Sequence, residues 1–184
     1  MPKQHLRRPL PGEPAGWAYV DRVLRVDHAG EYGAKRIYDG QLAVLGHGAV
    51  GAAIREMAET EAEHLAWFDE ALTEAGVRPT ALHPFWHVAG YALGAATAMM
   101  GPAAAMACTV AVEEAIDEHY QRQESALGPH EGSLKSAIKR FHAEELHHRD
   151  TALAHGAERA PGYRIMKHAI KTGCRAAIWL SERI

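Results

Sequence analysis

Two short motifs in the sequence pair a glutamate with a histidine three residues later. They are Glu61 with His64 and Glu145 with His148. In an α-helix this spacing places both side chains on one face, where a carboxylate and an imidazole are able to bind the same metal ion. One copy alone is weak support, because a chain with 13 histidines contains such pairs by chance. Two further observations favour a metal site.

The first observation is that the face carrying each motif points into the predicted core. Apolar residues flank both motifs at the helical spacing of three or four residues. They are Ile54, Met57 and Phe68 around the first motif, and Ile138, Phe141 and Ala152 around the second. A carboxylate on such a face must be paired, protonated or bound to a metal, because burial of an unpaired charge is costly.

The second observation is that a further glutamate precedes each motif at nearly the same separation. Glu31 lies 30 residues before Glu61, and Glu113 lies 32 residues before Glu145. A glycine and a proline fall midway between the members of these pairs and indicate turns. Each half of the chain is therefore predicted to be a helical hairpin whose ligands meet at the same level.

Two such hairpins form a four-helix bundle in which two helices each supply a glutamate and two each supply Glu-x-x-His. This is the ligand set of the ferritin-like di-iron carboxylate bundles. Four carboxylates balance the charge of two divalent cations, and oxygen-rich ligation with two imidazoles suits iron, with manganese second and zinc a poor fit. The predicted ligands are Glu31, Glu61, His64, Glu113, Glu145 and His148.

Several predicted ligands have a glutamate beside them, and helical periodicity distinguishes the two. Glu113 shares its face with apolar residues and Glu114 with polar ones, so Glu113 is predicted to be the ligand and Glu114 to face water. By the same argument Glu145 is preferred to Glu144, whose substitution we expect to be tolerated. Glu63 lies on an acidic face and is dismissed.

Four residues are candidates to support the ligands from outside. A metal-bound histidine usually donates its second ring N–H to a carboxylate or a carbonyl. Asp27, one turn before Glu31, and Asp117, one turn after Glu113, are available for this, and each is equally compatible with a surface charge. His119 and Tyr120 are candidates to line the cavity, although Tyr120 also fits a packed core residue.

The elements that position these residues are predicted to be helices throughout. Helices are predicted over residues 17–45, 50–75 and 133–155, and a last helix begins at Pro161. From residue 79 to residue 112 the chain has no Asp, Glu, Lys or Arg, and Gly101–Pro102 divides this stretch before a helix that continues to about residue 127. No segment alternates like a strand, so the fold class is predicted to be all-α.

Composition limits the classes of protein. The chain has 184 residues and a formal net charge of −3, which suits one domain and disfavours nucleic acid as a partner. Cys108 and Cys174 lack the spacing of a zinc site or a disulfide framework, as expected in a reducing compartment. No signal peptide is recognisable, and we predict a flexible tail at 1–16 followed by one ferritin-like domain at 17–184.

Four segments of the sequence resemble the demethoxyubiquinone hydroxylases of ubiquinone biosynthesis. They are the runs 27–34 (DHAGEYGA), 78–80 (RPT), 107–114 (ACTVAVEE) and 173–183 (GCRAAIWLSER). The likeness extends from about Asp21 to the C-terminus, and all six ligand positions of the family are filled by the residues predicted above. The chain lacks the presequence of mitochondrial members and so resembles a bacterial one.

The resemblance implies a reaction and its participants. The substrate would be a polyprenylated methoxy-methyl benzoquinol, whose ring is hydroxylated by O2 at a centre of two Fe ions, and NADH is the electron donor that the family implies. No nucleotide-binding fingerprint is recognisable in the sequence. A homo-oligomer and other proteins of ubiquinone biosynthesis are the protein partners that the resemblance suggests.

A prenylated substrate implies attachment to a membrane surface, and we expect a peripheral protein on the cytoplasmic face of the inner membrane. The predicted apolar patch comprises Phe85, Trp86, Tyr91, Leu93, Met99 and Met100. The last helix, with Arg164, Lys167, Lys171 and Arg175, has the pattern of a basic amphipathic helix. The fold expected is thus a ferritin-like four-helix bundle with additional interfacial helices. Alternatively, both segments pack in the bundle or in a dimer interface.

Two other functions are compatible with parts of this pattern. A ferritin-like ferroxidase or iron store would use the same six ligands, but it would not need the long uncharged stretch. A plain helical interaction module would leave four buried carboxylates unexplained. Iron content separates the interaction module from the other two, and turnover of a quinol separates the hydroxylase from the ferroxidase.

Overall fold

A computed structural model describes residues 16–128 and 131–184, and every regular element in these ranges is helical. The all-α prediction is confirmed. A short 3-10 helix, Ala157–Arg159, precedes the last of the six α-helices found in the described ranges. The α-helices are α1 (Gly16–Leu45), α2 (Gly48–Ala75), α3 (His83–Met99), α4 (Pro102–Ala126), α5 (Gly132–Ala154) and α6 (Tyr163–Ser181). The predicted tail at 1–16 lies outside the described residues, apart from Gly16 in α1.

The helix ends follow local sequence signals, with one correction. α2 ends at Gly76, whose φ of 64° lies in the left-handed region that favours glycine. The prediction that Pro161 opens the last helix is wrong. Gly162 has a φ of 68°, which is incompatible with a right-handed helix, so α6 starts one residue later at Tyr163 and Pro161 lies in the preceding turn.

The helices form a bundle of two hairpins with two additional helices outside it. α1 packs against α2 and α4 packs against α5, while α3 crosses between the hairpins and packs chiefly against α1. α6 packs mainly against α4. One apolar cluster, with Leu24, Phe68 and Phe141, fills one end of the bundle. A second cluster, with Tyr38 and Ile54, fills the other end, so the predicted ligands lie between the two.

α3 approaches α1 closely because glycines remove the side chains between them. A Cβ atom added to Gly94 would overlap the Ile37 carbonyl oxygen, and one added to Gly40 would overlap the Tyr91 carbonyl oxygen. This contact fixes α3 alongside the half of α1 that follows Glu31. Gly90 and Gly94 of the uncharged stretch therefore serve helix packing.

α6 is attached to α4 by a row of ion pairs. Lys167 Nζ lies 2.7 Å from Glu114 Oε1, and Lys171 Nζ lies 3.0 Å from both Glu114 and Glu118. Arg175 donates three hydrogen bonds to Glu118, one from Nε and two from Nη2. These contacts correct two predictions. Glu114 does not simply face water, and three of the four cations assigned to a basic membrane-binding face contact glutamates of α4 instead.

The predicted apolar patch is only partly on the surface. Phe85, Met99 and Met100 are 61%, 71% and 61% exposed. Trp86 is half-buried, and its Nε1 donates a hydrogen bond of 3.1 Å to Ser181 Oγ of α6. Leu93 is half-buried as well. The side chains of Trp86 and Leu93 both turn toward the space between α3 and α6. Within the described residues, no helix is both long and apolar enough to cross a bilayer.

Candidate metal centre

The structure brings the six predicted ligands together in the middle of the bundle. Ligand atoms of Glu31, Glu61, His64 and Glu145 lie within 4.8 Å of one another. A second group with the same spacing comprises Glu61, Glu113, Glu145 and His148. Glu61 and Glu145 belong to both groups, one from each hairpin. The two groups lie side by side and share two carboxylates, and each has one further glutamate and one histidine of its own.

Both histidines direct the same ring nitrogen toward the carboxylates. His64 Nδ1 lies 3.0 Å from Glu145 Oε1 and 3.3 Å from Glu31 Oε2. His148 Nδ1 lies 3.1 Å from Glu145 Oε2 and 3.3 Å from Glu61 Oε1. All of these side chains are at most 3% exposed. The Glu-x-x-His spacing thus places carboxylate and imidazole side by side on α2 and on α5.

Burial and mutual repulsion control protonation in this cluster. Burial and the neighbouring carboxylates raise the pKa of Glu61 and of Glu113 well above its usual range. Burial also acts on Glu145, but hydrogen bonds from His148 and His64 outweigh it and lower its pKa to about 2. Burial opposes charge on His64, yet hydrogen bonds to Glu145 and Glu31 raise its pKa to about 11. Without bound cations, protons on Glu61, Glu113 and His64 therefore reduce the negative charge of the cluster.

Unsatisfied oxygen atoms in the cluster fit a bound metal. Both carboxylate oxygens of Glu61 and Oε2 of Glu113 are buried and make no hydrogen bond of acceptable geometry with the described residues, although His148 Nδ1 lies 3.3 Å from Glu61 Oε1. Buried acceptors of this kind are rare and costly in folded proteins. Four carboxylates and two imidazoles are the donor set that suits two divalent iron or manganese ions. The residues present fit such a centre.

Three side chains surround the ligands with hydrogen bonds. Tyr38 Oη donates to Glu113 Oε1 at 2.9 Å, and Tyr120 Oη donates to Glu31 Oε1. His64 Nε2 donates to Glu144 Oε2 at 2.6 Å, which leaves Nδ1 directed into the cluster. A carboxylate on the outer nitrogen of a ligand histidine fixes the ring and its tautomer.

The supporting residues predicted from sequence have different environments. Tyr120 donates a hydrogen bond to the predicted ligand Glu31, as described above. Asp27 is buried and accepts hydrogen bonds from His119 Nε2 at 2.9 Å and from Gln123 Nε2 at 2.7 Å. These three residues form their own polar cluster about one turn from Glu31. Asp117 accepts a hydrogen bond of 2.7 Å from His142, so the interpretation that it pairs with a ligand histidine is wrong.

An apolar cavity lies on one side of the centre. It has a volume of about 430 Å³, and α1, α3, α4 and α6 supply its walls. The larger lining side chains include Ile37, Trp86, Leu93, Val112, Ile116 and Ile178. A narrower void begins at the same wall and is lined by Ala34, Ile37, Tyr38, Thr109, Val112 and Glu113. Ala34, Ile37 and Val112 line both spaces, so the wall of the apolar cavity adjoins one of the six predicted ligands.

Comparison with known proteins identifies the family of this chain. Residues 18–181 match the family model described as "Ubiquinone biosynthesis protein COQ7". The chain belongs to this family. A relative from Rhodospirillum rubrum named 3-demethoxyubiquinol 3-hydroxylase is 53% identical over 176 residues, which is 95% of this chain and 83% of that protein.

Eukaryotic members of the COQ7 family are similarly close. The human protein named NADPH-dependent 3-demethoxyubiquinone 3-hydroxylase, mitochondrial, is 53% identical over 171 residues, covering 91% of this chain and 79% of that protein. The Saccharomyces cerevisiae protein named 5-demethoxyubiquinone hydroxylase, mitochondrial, is 41% identical over 184 aligned positions, covering 91% and 79% of the two chains. These findings confirm the resemblance and favour a hydroxylase over a ferroxidase.

Two functional candidates in this COQ7 chain were missed by reasoning from the sequence. Tyr38 follows Glu31 by two helical turns on the same face, so its place near the ligands could have been inferred. Glu144 was assigned to the polar face of α5 and dismissed. Its contact with His64 joins residues 80 positions apart and depends on how α5 packs against α2, which no local pattern reveals.

Proposed function

We propose that this chain is a di-iron monooxygenase that uses O2 to hydroxylate the ring of a polyprenylated methoxy-methyl benzoquinol in ubiquinone biosynthesis. The observation that carries the proposal is the position of the apolar cavity beside the six-ligand cluster: Ile37 and Val112 line both this cavity and the narrow void next to Glu113. A ferroxidase needs a polar path for iron ions, whereas an apolar cavity of this size suits a ring with a hydrocarbon tail.

The proposed centre would use every residue of the cluster. One metal would bind Glu31 and His64, the other would bind Glu113 and His148, and Glu61 and Glu145 would contact both. Iron bound there would supply the redox chemistry that activates O2. The tyrosines on Glu31 and Glu113 and the carboxylate on His64 would fix the ligands before substrate arrives.

The cavity would position the ring and exclude water. A reacting carbon must be kept within about 3–3.5 Å of the activated oxygen atom, and small displacements cost much of the rate. The tight contact of α3 with α1 fixes one wall of the cavity, and the ion pairs of α6 with α4 fix the opposite wall. These walls would keep the ring beside Glu113 while the tail extends toward the surface.

The proposed substrate also implies where the protein acts and what else the reaction requires. We propose peripheral attachment to the cytoplasmic face of the inner membrane, because a prenyl tail partitions into a bilayer and exposed apolar side chains occur on α3 and α6. A reduced nicotinamide nucleotide is the proposed electron source. The name of the human relative specifies NADPH for that protein, whereas the resemblance implied NADH. We also propose a homo-oligomer and contacts with other proteins of ubiquinone biosynthesis.

Reconstitution tests the proposed reaction. The protein is loaded with Fe2+ and supplied with ¹⁸O2, a short-chain demethoxyubiquinol, and NADH or NADPH in separate reactions. We expect one ¹⁸O atom in the ring product by mass spectrometry, and no product from Glu145→Ala. The exposed Glu63→Ala variant is the matched control and should retain turnover. Oxidation of iron without any ring product would favour the ferroxidase and contradict the proposal.

A test in cells complements reconstitution. Mass spectrometry of the lipid quinones should show the demethoxy precursor in cells without this chain and the mature quinone in cells that contain it. Unchanged quinone pools after removal of the chain would contradict the proposed place in ubiquinone biosynthesis.

A further inference from the structure

Gly33 lies in the middle of α1, although neither the backbone nor the packing of helices requires a glycine there. Its backbone has no positive φ, and a Cβ atom added to it would meet no atom of the other described helices within 4 Å. A glycine in the interior of a helix destabilises the folded protein relative to alanine. The missing side chain at Gly33 therefore needs an explanation other than folding.

The glycines at the contact between α1 and α3 differ from Gly33 in this respect. A Cβ atom added to Gly40 or to Gly94 would overlap a backbone carbonyl oxygen of the opposite helix. A Cβ atom added to Gly90 would lie only 2.9 Å from the carbonyl oxygen of Gly33. Helix packing thus explains these three glycines, whereas Gly33 contributes only its carbonyl group to the contact.

The space beside Gly33 belongs to the apolar cavity. Gly33 and Gly30 both line this cavity, which has a volume of about 430 Å³. A Cβ atom added to Gly30 would make only an ordinary contact, 3.8 Å from Ile116 Cδ1. Because α1 rises about 1.5 Å per residue, both glycines lie within about 3 Å of Glu31 along the helix axis. The α1 wall of the cavity therefore lacks side chains at the level of this predicted metal ligand.

We propose that Gly33 is a specificity-determining residue whose missing side chain leaves the space for the methoxy and methyl substituents of the quinol ring. This inference rests on the proposed function and identifies the part of the cavity wall that the substituted ring contacts. A flexible prenyl tail bends around a small obstruction, whereas a rigid ring that must reach the level of Glu31 does not. An added methyl group at Gly33 therefore competes for space with a substituent on the ring.

The test adds a methyl group to the protein and removes the substituents from the ring. Purified wild type and Gly33→Ala are titrated with two benzoquinones that carry the same short prenyl tail, one with the methoxy and methyl groups and one without them. Binding is followed by quenching of tryptophan fluorescence, since Trp86 lines the cavity. We expect Gly33→Ala to weaken binding of the substituted quinone by about tenfold and binding of the unsubstituted quinone by less than about threefold.

Two controls separate a loss of space from a disturbed helix. Gly33→Ala should melt at a higher temperature than wild type, because alanine stabilises the interior of a helix relative to glycine. Ala52→Leu adds a larger side chain to an exposed position of α2, so it should bind both quinones like wild type. Weaker, ring-selective binding by a more stable protein is a combination that a merely structural role of Gly33 does not produce.

The outcomes distinguish this inference from the proposed function. Equal affinity of wild type and Gly33→Ala for the substituted quinone, with wild type still hydroxylating the ring, would overturn the role of Gly33 alone. An equal loss of affinity for both quinones, or a lower melting temperature for Gly33→Ala, would also overturn it. A wild-type protein that neither binds the substituted quinone nor hydroxylates the quinol would overturn the proposed function and the role of Gly33 together.

Discussion

Two adjacent glutamates of α4 have opposite environments. Glu113 is 2% exposed and accepts a hydrogen bond from Tyr38, whereas Glu114 pairs with Lys167 and Lys171. Burial opposes ionisation of Glu114, but the hydrogen bonds from both lysines outweigh it and lower its pKa. Charge on Glu113 instead requires a cation in the bundle core. The residue that turns inward is thus the one suited to bind metal.

We predict that the purified protein contains about two irons per chain, that Glu113→Ala loses much of this iron, and that Glu114→Ala retains it. Removing a residue that merely supports a metal ligand costs ~10–100-fold in affinity, and removing a ligand is expected to cost at least as much. Iron analysis of both variants is the measurement. Equal iron content in the two would show that the inward face of α4 has been assigned wrongly.

Glu144 provides a second prediction and revises the expectation that its loss is tolerated. Glu144→Ala should weaken iron binding by about 10–100-fold, because His64 loses the carboxylate that orients its ring. Glu144→Gln keeps an acceptor for His64 Nε2 and should restore most of the affinity. Titration of the metal-free proteins with Fe2+ under anaerobic conditions measures this. Glu63→Ala, also on α2 but exposed, should bind like wild type.

At the scale of elements, glycines decide how closely α3 lies on α1. Gly94→Ala should destabilise the protein by about 1–3 kcal/mol, because the new methyl group overlaps the Ile37 carbonyl oxygen and separates the two helices. Gly173→Ala on α6 is the control. It meets open space and should stabilise the protein by about 0.5–1 kcal/mol through helix propensity alone. Denaturant unfolding measures both, and equal effects would contradict the packing argument.

At the scale of the whole molecule, α3 and α6 help to enclose the cavity, and both helices also carry exposed apolar side chains. Phe85 and Met99 of α3 are joined by Ile165 and Trp179 of α6, which are 79% and 53% exposed. Because most cations of α6 pair with α4, we expect membrane attachment to depend on this apolar surface more than on charge. We expect these side chains to form the interaction surface, as exposed apolar patches commonly do.

Liposome flotation tests the membrane prediction. Wild type should float with vesicles, and the double variant Phe85→Glu with Met99→Glu should remain at the bottom of the gradient. Trp86, which also belongs to the predicted apolar patch, is unsuitable for this test because it lines the cavity and bonds Ser181. Leu153→Glu, on α5, is the matched control and should float. Wild type that stays at the bottom, in low salt and without detergent, would contradict the prediction and favour packing in a dimer interface.

The sequence alone determined the helices and the side of each helix that carries chemistry. Apolar spacing fixes which face of a helix is buried, so Glu61 and His64 could be placed inward from residues within a few turns of them. The repeated separation of Glu31 from Glu61 and of Glu113 from Glu145 then predicted that the ligands of all four helices lie at the same level along the bundle. These inferences succeed because they depend on the period of the helix, which is a local property.

Only the tertiary structure decided which partners those faces meet. Glu144 and His64 are 80 residues apart, and Lys171 and Glu114 are 57 apart, so their contacts depend on packing between helices. Periodicity assigns a residue to a face of its helix, but the environment of that face is created by other helices.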